Sequence, residues 1–181
     1  MIIAKAKRKT NIAEYILYMW QVEDLIRAYN FDIEKIKTEY ISKFEVDEQL
    51  KAEIAEWYNN LLVGMIKEHI QTTGHLQFIK NLMNDLNEFH LKMIETNADG
   101  SYYELVHQAE SSLSEFRIKA KSENISDVET CFNGLYQLIL LRLQKKEINE
   151  ATLSSIQRFG KLMGHLSARY LQFENDEFEL P

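Results

Sequence analysis

Apolar residues recur at steps of three and four along almost the whole chain, and polar or capping residues collect at the breaks. That pattern predicts about seven helices and no strand of useful length. The first runs from about Asn11 to Asn30, where Asn11 and Glu14 make a capping-box-like start. A short second helix covers Asp32 to Phe44, with Ile33, Ile36, Tyr40 and Phe44 as its buried row. The third begins near Asp47 and carries Leu50, Ile54, Trp57, Leu61 and Met65 on one face, ending before the turn at Thr72, Thr73 and Gly74. The fourth repeats the spacing with Leu76, Ile79, Met83, Leu86, His90 and Met93.

A loop at Asn97 to Gly100 precedes two helices that open on Ser-x-x-Glu, Ser101 with Glu104 and Ser126 with Glu129. The last helix runs from about Asn149 to Phe173 and buries Ile156, Phe159, Met163, Leu166 and Tyr170. The only proline is Pro181 and there are six glycines, so little interrupts this periodicity. Short connections make successive helices mostly antiparallel neighbours. The expected architecture is an all-α, single-domain helical bundle over residues 1–181, with a basic N-terminal arm (1–10) and an acidic C-terminal tail (174–181). Arm and tail are expected to be solvated, although their opposite charges make them candidates to meet.

Two charges break the pattern. Glu23 falls in the middle of an apolar arc made by Ile12, Tyr15, Ile16, Met19, Trp20, Val22 and Ile26. A lone carboxylate there costs several kcal/mol unless a donor withdrawn from solvent meets it. Arg27 lies four residues on, and Arg142 occupies the centre of the stripe formed by Val128, Phe132, Leu135, Leu138 and Ile139. The expectation is that Glu23 pairs with Arg142, with Arg27 contributing; the competing expectation is that Arg142 snorkels from near a helix end and Glu23 faces a wet groove. Trp20, Glu23, Arg27 and Arg142 are therefore the candidate ligand-binding residues.

Other chemistry is thin. One Glu-x-x-His occurs, Glu104 to His107, but Glu104 is accounted for by its capping box, and di-metal bundles bring two such motifs with further glutamates. His69, His75, His90 and His165 have no compact ligand spacing, and the Gly-rich phosphate loops and the nucleophile elbow are absent, so no metal or cofactor is expected. Cys131 has no second cysteine and sits on an apolar stripe, as a small core residue would. Gly160, Gly164 and Ala168 leave a shallow stripe on the last helix, expected to serve close packing inside the monomer, with a homodimer seam as the alternative.

Composition narrows the setting. A net charge of -7 opposes general nucleic-acid binding, which needs cations to displace phosphate counterions. The cations at Lys5, Lys7, Arg8 and Lys9 ahead of the run Ile12 to Trp20 imitate a signal peptide. Glu14 breaks that run, no small-residue cleavage site follows, and it continues into a charged helix. No apolar stretch of about 18 residues occurs, so no membrane association and a cytoplasmic location are expected.

The stretch NIAEYILYMWQVEDLIRAYNFD (Asn11 to Asp32), with MIIAKAKRK before it, resembles the opening of an uncharacterised bacterial family of all-helical proteins of similar length, a domain of unknown function. The resemblance covers the whole chain and implies a helical fold in a bacterial cytoplasm; it brings no reaction, ligand or catalytic residue. The favoured role is a non-enzymatic module that binds a protein partner or itself, through an exposed groove or the acidic aromatic tail. The alternative is an enzyme or anionic-ligand binder, with Glu23 as general acid or base, Arg27 and Arg142 holding the anion, and Trp20 or a nearby tyrosine as a wall. Solvent access to Glu23 and Arg142 separates the two.

Overall fold

Most helices begin where a short polar side chain can accept the first free backbone N–H groups. The structure, a computed structural model, describes residues 2–122 and 124–181. Among these residues it contains eight α-helices: α1 (Ile2–Thr10), α2 (Ile12–Ala28), α3 (Ile33–Lys35), α4 (Glu48–Lys67), α5 (Gln77–Glu95), α6 (Gly100–Ala120), α7 (Asp127–Leu143) and α8 (Glu150–Glu174). Asn11 caps α2, Asp32 α3, Asp47 α4, Asp99 α6, Ser126 α7 and Asn149 α8. Helix α5 differs: Leu76 stands at its N-cap and offers no side-chain acceptor.

Ser126 accepts from Glu129 N–H as its motif requires, but the other Ser-x-x-Glu does not form its box. Asp99, two residues upstream of Ser101, accepts from both Ser101 N–H and Tyr102 N–H, so α6 starts earlier than expected. The segment after α3 also departs from a regular helix. A π turn (Ile36–Tyr40) and a 3-10 turn (Ile41–Lys43) follow it, and the changed pitch buries Ile36 and Ile41 where a uniform helix would bury Ile33, Ile36, Tyr40 and Phe44.

One continuous core runs from Ala4 through Ile26, Tyr58, Met93, Tyr102 and Phe132 to Leu166, so the chain is a single all-α domain. Helix α8 contributes the row Ile156, Phe159, Leu162, Met163, Leu166 and Tyr170, each worth roughly 2 kcal/mol of burial. It packs most extensively on α6 and then α7, while α2 touches α1, α4, α5, α7 and α8. Cys131 is buried in this core.

The small-residue stripe on α8 is not where helices approach closely: Gly164 and Ala168 are exposed. The tight approach is at Gly134 of α7, where an added Cβ would stand 2.8 Å from the Phe159 ring. The N-terminal stretch expected as a solvated arm is instead helix α1, with Ala4 buried and Arg8 paired to both oxygens of Glu174 at 2.9 and 2.8 Å. The tail expected to fray instead places Phe178 against Phe89 and under the Arg169 guanidinium. No described helix is long and apolar enough to cross a membrane.

Candidate functional site

The apolar arc of α2 turns inward and takes Glu23 with it, leaving the carboxylate with no exposed surface. Its partners come from the link between α4 and α5. Leu76 N–H donates to Oε1 at 2.9 Å and His75 Nδ1–H donates to Oε2 at 2.6 Å. Glu23 thus supplies from another helix the acceptor that α5 lacks, at the positive end of that helix's dipole. Glu68 helps from α4, accepting from Gln77 N–H at 2.6 Å. The His75 ring lies flat on Trp20, centroids 4.2 Å apart and planes within 9°, and Trp20 meets Phe132 and Tyr136 at steeper angles.

Arg27 holds the same link from below. One terminal nitrogen donates to Asp24 Oδ1 at 2.8 Å, and the other to Ile70 O at 3.2 Å and to Gly74 O. Gly74 has φ +93°, a left-handed conformation that suits glycine and lets the turn present its carbonyl to the guanidinium.

The expected pair between Glu23 and Arg142 is not made. Burial along α7 is deep at Val128 and Phe132 and fades beyond Leu135, so Arg142 stands exposed in the last turn. Both Glu23 oxygens are occupied by His75 and Leu76. Trp20, Glu23 and Arg27 are gathered in one place, then, and Arg142 is not among their contacts.

Beside this junction lies a groove of about 460 Å³ between α2, the π turn, α4 and α7. Tyr18, Tyr29, Tyr40, Tyr58 and Tyr136 line it, with Asp24 at one side and Leu140 and Leu143 along the rim. Tyr58 is buried and its hydroxyl bonds with Tyr40 and Tyr18. Burial raises the Tyr58 phenol far above the ordinary tyrosine range and pushes Tyr18 up to about 12. Tyr136 is raised as well, by burial and then by its hydrogen bond to Asp24 Oδ2. The phenols of Tyr18, Tyr58 and Tyr136 are therefore neutral at any physiological pH. Sequence reasoning reached this wall only as a nearby tyrosine. Tyr18, Gln21, Leu25 and Tyr29 recur at three- and four-residue steps on one edge of α2, which was the available signal.

A second polar cluster ties α5, α6 and α7 together. Tyr102 OH meets His90 Nδ1, and His90 Nε2 stands 3.4 Å from Asp127 Oδ2, within ion-pair reach but without the alignment of a hydrogen bond. Arg117 bonds to Asp127 and, at 3.0 Å, to Thr130. His90 and then Arg117 hold the Asp127 carboxyl down at about 2, against burial. The hydroxyl–imidazole–carboxylate order resembles a catalytic chain, but His90 and Tyr102 are buried and line none of the hollows described here.

Around Asp99, burial opposes the charge, while hydrogen bonds from His165, Arg169 and Tyr102 N–H outweigh it and hold the carboxyl well below its usual range. Another hollow of about 370 Å³ lies between α6, α7 and α8; its Ser112 hydroxyl already accepts from Arg158, and Lys119 on its edge pairs with Glu115. Glu104 and His107 are exposed, His107 meeting Glu110 at 3.2 Å. Among the described residues, no three of His, Cys, Asp or Glu are grouped so as to hold a metal ion.

No curated protein and no solved structure matches the chain. A family model described as "Domain of unknown function (DUF4924)" matches residues 1–177, and the chain belongs to that family.

Proposed function

We propose that this domain is a non-catalytic binding module that seats a protein partner in the tyrosine-lined groove. The observation that carries the proposal is the groove itself, where aromatic side chains from four elements converge and Leu143 lies 71% exposed on the rim. Tyrosine gives a large, stiff contact surface at little conformational cost, and it is enriched where binding energy concentrates. A volume of about 460 Å³ suffices for anchoring side chains of a partner.

The charged groups that could perform acid–base chemistry support the same reading. Glu23 caps α5 and is closed to solvent, and Arg27 is spent on Asp24 and two carbonyls. A reaction needs such groups to face a substrate, and these face the protein's own backbone.

A photo-crosslinking residue placed at Leu143, with a second at exposed Ile118 as control, tests the proposal in the native host. Position 143 should give an adduct of discrete mass and position 118 should not. Ala28→Trp, which fills the groove from an exposed lining position, should abolish the adduct. Equal labelling from both positions, or an adduct indifferent to Ala28→Trp, would rule the groove out as the seat.

A further inference from the structure

We infer that the groove accepts a cationic side chain, an arginine or lysine on a basic segment of the partner, with its alkyl stem against the tyrosines and its charged head at Asp24. This rests on the groove being the binding surface and adds the chemistry of what enters it.

Asp24 is the one charged side chain among the lining residues. Its carboxylate is 45% exposed and accepts from Arg27 through Oδ1 and from Tyr136 through Oδ2. An ionised carboxylate has room for about four such bonds, so acceptor capacity remains on the groove side.

Several hydroxyls of the wall are engaged inside the protein. Tyr136 gives its proton to Asp24, and Tyr58 bonds with Tyr40 and Tyr18. Gln21 donates one of its two amide hydrogens to Leu17 O at 3.1 Å, so its amide can still both donate and accept. The one charge the groove offers a guest is therefore the Asp24 carboxylate, set beside aromatic ring faces of negative potential.

The neighbouring cation does not reverse this sign. Arg27 is 15% exposed, points to Ile70 O and Gly74 O, and is not part of the lining. A whole-chain charge of -7 acts in the same direction at longer range, drawing basic segments toward the surface. An acidic side chain entering here would lose its hydration and meet in Asp24 a charge of its own sign. A protein side chain fits better than a free small cation because Leu140 and the exposed Leu143 extend an apolar shelf beyond the pocket, where flanking residues of a peptide can lie.

The test titrates the full chain with three peptides: acetyl-Gly-Leu-Arg-Leu-Gly-amide, and the same sequence with citrulline or glutamate in place of arginine. Citrulline keeps the shape and removes the charge. Amide resonances and tyrosine ring signals report the site of binding. The arginine peptide should shift Asp24, Leu25 and Tyr136 and bind about tenfold more tightly than the citrulline peptide. Added salt should shrink that advantage, and Asp24→Asn should remove it.

Equal affinity for arginine and citrulline peptides in the groove overturns the cation assignment while leaving the groove as a binding surface. A preference for glutamate, shifts confined to another face, or no binding at millimolar peptide overturns the assignment too. The crosslinking from Leu143 decides the groove independently of these peptides. Should Asp24→Asn fail to fold, the comparison of arginine with citrulline on the unaltered protein still decides.

Discussion

Helices α5 and α6 follow one another, and each starts at a carboxylate that also holds a histidine. At α6 the carboxylate is Asp99, the helix's own N-cap; one oxygen accepts from Ser101 and Tyr102 N–H, and the other from His165 Nε2 at 2.8 Å and Arg169 Nε at 2.6 Å. At α5 it is Glu23, 53 positions before the amide it caps, with His75 and Leu76 as its partners and no guanidinium among them. Asp99 is over-provided, so that losing one donor leaves three. Glu23 has the minimum that a fully buried carboxylate can tolerate, and every partner counts.

The largest consequence is expected at Glu23. Glu23→Ala leaves Leu76 N–H and His75 Nδ1–H without their acceptor in a dry site and should lower unfolding stability by about 3 kcal/mol, read from urea denaturation. Hydrogen exchange should quicken in the first turn of α5 before it quickens elsewhere. Glu23→Gln, which keeps one acceptor, should recover about half of the loss. A loss below about 1 kcal/mol for Glu23→Ala would mean that α5 does not depend on this cap.

Asp99→Ala comes next, at about 2 kcal/mol, because it removes a cap and a shared acceptor while His165 and Arg169 keep partial access to water. An Asp99→Ala loss exceeding that of Glu23→Ala would invert the comparison. Asp99→Asn, which retains the cap but not the charge, should fall between the alanine variant and the unaltered protein.

What could be read from the chain follows the same division between local and distant partners. Asn11, Asp47, Ser126 and Asn149 were legible as caps because each bonds an amide two or three residues on. At α6 the sequence pointed to Ser101 and placed Asp99, two residues earlier, in the preceding loop. Ser101 matched a motif, but Asp99 is the one that His165 and Arg169 can reach, and that contact lies 66 to 70 residues away.

Glu23 was legible as a misplaced charge and is buried as expected. Its partner was not legible, because a backbone N–H has no sequence signature, whereas Arg142 offered an obvious opposite charge. The tyrosines of the groove are spread over α2, the π turn, α4 and α7. Periodicity groups residues on one helix face but does not say which faces meet. For the same reason Arg8 looked solvated until the fold placed Glu174 beside it.

Acid titration sharpens the contrast on the cation-backed side. Asp127 is held at about 2 by His90 and Arg117, below the ordinary value of about 3.9. A carboxyl depressed in the folded state stabilises fully above its unfolded value, and that contribution is lost as pH falls toward the folded one. The unfolding free energy read from urea denaturation should therefore drop between about pH 4 and about pH 2, by on the order of 1 to 2 kcal/mol from Asp127. Asp99, also depressed, adds a loss of the same sign that extends to lower pH. Asp127→Asn should flatten the dependence, and an unchanged slope in that variant would remove Asp127 from the acid response.

The smallest effect is expected where a charge pair has solvent around it. Arg8 meets Glu174 with two hydrogen bonds, a better geometry than Glu23 has, yet the side chains are 38% and 29% exposed. Water solvates both partners nearly as well when they separate, so Arg8→Gln should lose no more than about 0.5 kcal/mol, and added salt should erase most of that difference. A double-mutant cycle with Glu174→Gln isolates the pair from the packing of Ala4 that also holds α1. A coupling as large as the loss at Asp99 would show that burial is not what ranks these carboxylates. A small coupling beside a large Glu23 loss would tie the ranking to desolvation rather than to the number or length of hydrogen bonds.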